Sequence, residues 1–172
     1  FFLIVEMKMK LGGVLHVLLC VELLLTGNIL GNVPSSERDA LVALYNSTDG
    51  PNWRSNGGWL TGDPCVDDWY GVECGREGQH VTELILTLDK LDGAIPSELG
   101  QLSALERLEL DNNQLIGAIP SELGELSALE RLILEYNQLT GAIPSEIGQL
   151  SALENLDVES NQLSGAIPSE LG

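Results

Sequence analysis

The chain of 172 residues is poor in cations, aromatics and histidine, and each shortage closes off a class of function. Lys and Arg number 8 against 26 Asp and Glu, giving a net charge of −18 at neutral pH. Nucleic acids and anionic membrane surfaces are recognised by clustered positive charge, so neither is an expected partner. The balance favours solubility and a cationic partner. Aromatic residues make up only 5% of the chain, which predicts an aliphatic core. The two histidines, His16 and His80, are too few for a histidine-rich metal site, and the abundant Ser and Asp recur in repeat positions without a partner base. No phosphate-cradling glycine loop occurs, because every glycine belongs to a repeat or a turn. Carboxylates are plentiful, yet nothing in the pattern encloses a pair of them in a pocket that would split their pKa values. No catalytic residue, metal ligand or cofactor is expected.

Long apolar runs are also missing. The longest, residues 11–25, is almost continuously apolar but short of the roughly 20 residues a spanning helix needs. It follows Met7, Lys8, Met9 and Lys10, and together these read as the basic and apolar regions of a secretory signal. Gly27 and Gly31 are the candidate last residues removed, so residues 1–34 form a leader. Its loss would take Cys20 away and leave Cys65 and Cys74. An even pair in a secreted chain reads as a disulfide.

The rest of the sequence is dominated by self-similarity, with units of 24 residues starting at Val81, Leu105, Leu129 and Leu153. The second unit reads LERLELDNNQLIGAIPSELGELSA, and the fourth stops before completion at Gly172. Within a unit, Leu108 and Leu110 alternate inward as a short strand requires. Leu105, Leu115, Ile119, Leu123 and Leu126 complete the inward set. One coil cannot form a core alone, but stacked coils bury a continuous one. Asn113, Asn137 and Asn161 recur just after the strand, where an inward amide can satisfy backbone groups of its own and adjacent coils. The first unit has Asp89 there instead. Gly93, Gly117, Gly141 and Gly165 permit unusual backbone angles, and Pro96, Pro120, Pro144 and Pro168 fix the start of the next segment.

The L-x-x-L-x-L-x-x-N-x-L-x-G-x-I-P consensus resembles the plant-specific class of leucine-rich repeats, found in receptor-like kinases, receptor-like proteins and secreted polygalacturonase inhibitors. Residues 35–80 resemble the N-terminal cap that precedes such repeats. Ser36 and Asp39 suggest a capping-box helix start, Ala40, Leu41, Ala43 and Leu44 give that helix an apolar side, and 49–52 read as its terminating turn. Trp53, Trp59 and the segment CVDDWYGVEC, residues 65–74, match the tryptophan-rich, cysteine-bounded part of the family's cap. The first cysteine lies two residues further from Trp69 than in the family pattern, while Trp69, Gly71, Val72 and Cys74 agree.

The resemblance implies an α/β solenoid: a right-handed horseshoe segment with a parallel concave β-sheet, irregular or short-helical outer segments and a disulfide-stapled helical cap. It implies an extracellular recognition module of a receptor-like protein or kinase, located outside the cell or at its surface. A secreted inhibitor of wall-degrading enzymes and a structural or adhesive wall protein are the alternatives, and an enzyme is the least expected. The unfinished fourth unit suggests a fragment, with membrane attachment only through a segment further downstream.

Function in this architecture sits on the concave face. The third, fifth, seventh and eighth positions of each unit supply the candidate ligand-binding residues Glu83, Arg107, Glu109, Asp111, Arg131, Ile133, Glu135, Tyr136, Asp157 and Glu159. Adjacent strands lie about 4.8 Å apart, so Asp111, Glu135 and Glu159 should stack as like charges. The partner this favours is a protein or basic peptide, with Tyr136 and Ile133 as apolar anchors. A solvated acidic face, partly neutralised by Arg107 and Arg131, is the competing interpretation. Finally, Asn46-Ser47-Thr48 is an acceptor sequence for N-glycosylation at the end of the cap helix.

Overall fold

The computed structural model describes residues 32–76 and 78–171. The apolar segment at 11–25, expected to belong to a leader, lies outside them. Helix α1, Ser35–Ser47, opens the cap, followed by a 3₁₀ turn at Gly50–Asn52. Strand β1, Val72–Cys74, closes the cap by pairing antiparallel with β2, Val81–Ile85, the first strand of the solenoid. Strands β4 (Arg107–Glu109), β6 (Arg131–Ile133) and β8 (Asn155–Asp157) add in parallel to complete a sheet ordered β1-β2-β4-β6-β8.

The repeat spacing is preserved in the register of this sheet. Glu83 faces Arg107, Arg107 faces Arg131 and Arg131 faces Asn155, each one unit apart. Leu84, Leu86, Leu108, Leu110, Leu132 and Leu134 point inward and are buried, together with Leu99, Leu105, Leu115, Leu123 and Leu126. Each fully buried aliphatic side chain of this size contributes roughly 1.5–3 kcal/mol, which makes coil stacking the main source of stability. Pro96, Pro120 and Pro144 stand in extended geometry directly before 3₁₀ segments at Ser97–Gln101, Ser121–Glu125 and Ser145–Gln149.

A second parallel sheet was not anticipated. It comprises β3 (Asp92–Ala94), β5 (Gln114–Gly117), β7 (Gln138–Gly141) and β9 (Gln162–Leu163). Its register differs from the first: Asp92 pairs with Gln114, Ile116 with Gln138 and Thr140 with Gln162, each 22 residues apart. Equivalent residues therefore line up across the concave sheet but step sideways by two residues per coil across the second.

The asparagine positions act as a ladder between coils. The Asn137 amide donates to the carbonyls of Leu110 (2.9 Å), Leu134 (3.1 Å) and Glu135 (3.2 Å), and its oxygen accepts from the Leu115 amide at 3.0 Å. Asn113 and Asn161 repeat the arrangement one coil to either side. Asp89 breaks it. Asp89 is 1% exposed and one of its carboxylate oxygens has no partner. Burial pushes its carboxyl pKa up, opposed by the Ser55 backbone amide and by the charge of Arg54.

The cap departs from expectation in two respects. Its core is aromatic as well as aliphatic, because the few aromatics are concentrated there beside buried Ala40, Leu41 and Leu44. Trp53, Trp59 and Trp69 are buried, and Tyr45, Trp53, Trp59 and Trp69 form a chain with ring centroids 4.8–5.8 Å apart. Each indole donates to a carbonyl: Trp53 to Thr48, Trp59 to Tyr70 and Trp69 to Thr61. The Arg38 guanidinium lies 5.5 Å above Trp69. Cys65 and Cys74 are disulfide-bonded, with Cα atoms 5.7 Å apart.

The helix start also differs. No capping box forms at Ser36 and Asp39; α1 begins at Ser35, directly after Pro34, without a side-chain cap. Glu37, which the sequence reading passed over, is turned inward and 2% exposed. One of its carboxylate oxygens lies 2.7 Å from His80 Nδ1, and the other accepts from the Val81 amide at 2.9 Å. This is the bolt between cap and first coil. Glu37→Ala should cost about 2–4 kcal/mol, because it leaves the buried Val81 N–H without an acceptor. Glu37→Gln keeps an acceptor and should cost clearly less; equal urea midpoints for the two variants would contradict the assignment.

Candidate ligand-recognition face

The concave sheet carries the predicted residues, and the structure sorts them into two groups. Arg107 is locked. Its guanidinium donates to Glu83 and Glu109, both at 2.8 Å, and these contacts raise its pKa further, with the Glu109 hydrogen bond the largest cause. Arg131 is more exposed and reaches Glu109 at 3.8 Å. Glu83, Arg107, Glu109 and Arg131 thus form one network in which the parallel register places two arginines side by side and acids on their flanks.

Asp111 is not presented as a free charge, contrary to its place in the expected acidic stack. It is 8% exposed, and its carboxylate accepts from the Thr87 hydroxyl at 2.8 Å and the Asn112 amide at 2.9 Å. A hydroxyl from the preceding coil and the adjacent asparagine satisfy it.

Glu135, Asp157 and Glu159 form the second group. Glu135 lies on one coil and Asp157 and Glu159 on the next, near the C-terminal ends of the strands, and none has an ion-pair partner among the described residues. The Glu135 carboxyl pKa is raised, first by burial, then by the charges of Asp157, Asp111 and Glu159. These acids are held against one another by the fold. Ile133, half-buried, sits in register between Glu109 and Asp157.

Tyr136 is 56% exposed beside them, with φ of 52°. The same left-handed geometry recurs at Leu88, Asn112 and Ser160, so the turn after each concave strand demands it. Asparagine tolerates this region; tyrosine and leucine do so at a cost of roughly 1–2 kcal/mol. Leu88, 51% exposed in the same column, was absent from the predicted site. Its recurrence at the eighth position of the unit was the available signal. Glu130 and Glu154 were also missed; with Arg107, Arg131 and Asn155 they line a groove at the other ends of the strands.

Among the described residues no group of three or more His, Cys, Asp or Glu is arranged to hold a metal ion, and no helix is long and apolar enough to cross a membrane. The family model "Leucine rich repeat N-terminal domain" matches residues 34–75, and "Leucine rich repeat" matches 103–163. The ectodomain of the Arabidopsis thaliana receptor kinase SOBIR1 superposes with a TM-score of 0.66 at 32% identity, over 80% of this chain and 74% of that one. The chain belongs to the plant leucine-rich-repeat receptor-like ectodomains. Membership places it outside the cell or at its surface and identifies the fold as a binding module.

Two further likenesses mark the range of this ectodomain fold. One is the A. thaliana receptor kinase GASSHO1/SCHENGEN3 in complex with CASPARIAN STRIP INTEGRITY FACTOR 2, with a TM-score of 0.69 and 36% identity over 78% of this chain and 16% of that one. The other is a plant ice-binding protein, with a TM-score of 0.72 and 31% identity over 81% of this chain and 45% of that one. The curated A. thaliana relatives are 33–49% identical in the matched parts, and the chain spans only 7–14% of their length.

Proposed function

We propose that this ectodomain segment recognises a protein or peptide ligand bearing basic side chains, held across the concave sheet by Glu135, Asp157 and Glu159 with Tyr136 as apolar anchor. In this reading the chain binds without catalysing, as part of a receptor-like protein or receptor-like kinase. The observation that carries it is the geometry of the acid cluster. Glu135, Asp157 and Glu159 lie together on two adjacent coils with no ion-pair partner among the described residues, and the Glu135 carboxyl pKa is raised, first by burial and then by its acidic neighbours. A cationic ligand relieves that repulsion, whereas an anionic one adds to it. The complex of GASSHO1/SCHENGEN3 with its factor supports the use of such a fold for protein or peptide capture.

The ice-binding likeness supplies a second reading, and the second sheet is where it would apply, since Gln114, Gln138 and Gln162 are exposed there. The sideways step of two residues per coil opposes it, because the glutamines do not form a straight row at strand spacing.

A randomised peptide library selected on the purified chain should return sequences enriched in Lys and Arg. Affinity for a selected peptide should fall about tenfold or more between low and physiological salt. The triple variant Glu135→Gln, Asp157→Asn, Glu159→Gln should also weaken it by about tenfold or more. Neutral or acidic selected peptides, or binding unaffected by the triple variant, would overturn the reading. Tyr136→Asn should separate anchor from scaffold: a gain of roughly 1 kcal/mol in stability from relaxed backbone strain, with weaker binding of the same peptide. A Tyr136→Asn variant that binds as tightly as wild type would remove Tyr136 from the site.

A further inference from the structure

The sequence contains a single Asn-x-Ser/Thr acceptor, Asn46-Ser47-Thr48, and the fold treats its three residues very differently. Asn46 is exposed on the last turn of α1. Thr48 is 0% exposed, and each of its polar groups is committed. Its hydroxyl donates to the Leu44 carbonyl at 2.7 Å and its amide donates to the same oxygen at 3.1 Å. Its carbonyl accepts from the Trp53 indole at 2.8 Å and from the Asp92 amide at 3.0 Å. Strand β3 presses on the same spot, since a Cβ on Gly93 would overlap the Ser47 carbonyl. An enzyme that modifies this acceptor must engage the hydroxyl two residues after the asparagine. In the folded cap that hydroxyl is sealed between helix, tryptophan and first coil.

We infer that Asn46 carries an N-linked oligosaccharide that is attached before the cap folds and cannot be attached afterwards. In the transfer, Asn46 Nδ2 forms a bond to the anomeric carbon of a lipid-pyrophosphate-linked oligosaccharide. The anomeric C–O bond breaks, the lipid pyrophosphate leaves with its electron pair, and the amide nitrogen gives up one proton to a base of the transferase. Once α1 closes and Thr48 docks on β3, the glycan remains outside on exposed Asn46, while its acceptor sequence is no longer readable. Because α1 packs against β3 and the first outer 3₁₀ segment, the sugar stands away from the concave sheet and leaves that face open.

Two measurements test this. The full chain routed through a glycosylating secretory pathway should gain the mass of one oligosaccharide, which peptide-N-glycosidase removes to leave Asp at position 46. The Asn46→Gln variant should lack that mass. Secreted protein without a glycan on Asn46 would overturn the site. For the order of events, disulfide-intact folded chain from bacteria, extended by a flexible acceptor tail as internal control, is offered to purified oligosaccharyltransferase and lipid-linked oligosaccharide. The tail should be modified at least tenfold faster than Asn46, and the difference should vanish once the chain is reduced, alkylated and unfolded. Equal modification of tail and Asn46 in the folded chain would overturn the order.

Discussion

Asn137→Asp should lower the unfolding free energy by about 3–5 kcal/mol at neutral pH, an effect comparable to deleting a core leucine. The side chain is buried and its amide donates to three carbonyl oxygens. A carboxylate in its place aims a negative charge at those three acceptors and supplies no donor. Acid should restore part of the loss, because a protonated Asp regains one donor. Asp89→Asn is the reciprocal experiment. Asp89 occupies the same position in the first coil, with an orphaned oxygen and a raised pKa. The sign follows from proton binding: the folded state holds the Asp89 proton more tightly than the unfolded chain, so Asp89 costs stability as pH rises above the ordinary carboxylate range. Asparagine removes that cost and adds a donor, for a gain of about 1 kcal/mol at pH 7 that shrinks to nothing below about pH 4. Urea unfolding of both variants between pH 4 and 7 measures this. A destabilised Asp89→Asn, or an Asn137→Asp with near wild-type stability, would refute the ladder's role.

Gly124→Ala should cost about 3 kcal/mol, at the upper end for overpacking, although alanine is ordinarily the better residue in a helical turn. The added Cβ would lie 2.5 Å from the Glu146 carbonyl oxygen and 2.7 Å from its carbon, both rigid backbone atoms of the next coil. Gly100 meets Glu122 in the same way. The outer segments stack backbone against backbone, and only glycine fits between them. Gly117 is the control. Its φ is 79°, yet the nearest atom to an added Cβ is 3.8 Å away, so Gly117→Ala should incur backbone strain alone, roughly 1–2 kcal/mol. Thermal unfolding of the two variants ranks contact against conformation. Equal losses would mean the outer stack is looser than its geometry indicates.

The inward leucines, the asparagine position and the disulfide were legible because each follows from local periodicity or pairing arithmetic. So was the membership of the concave columns, since a strand alternates and the unit length sets the register. Which acids remain available was not legible. Asp111 and Glu135 hold the same position in consecutive units, and they differ because Asp111 meets a threonine hydroxyl from the preceding coil and an adjacent asparagine. Glu37 was passed over in the sequence, and Thr48 was read only as the tail of an acceptor sequence. Their burial depends on how α1 lies against the first coil, which begins only at Val81.

The sequence by itself determined a stack of equivalent coils, their inward faces, the capped start and the acidic character of the surface. These are properties of repeat period and residue type, and each coil repeats them. Only the tertiary structure decided the second sheet, its slip of two residues per coil, the closeness that makes Gly124 obligatory and the sealing of Thr48. Those features arise where one coil or the cap meets the next, and the distance between neighbouring backbones is set by packing across that contact rather than by the pattern within either part.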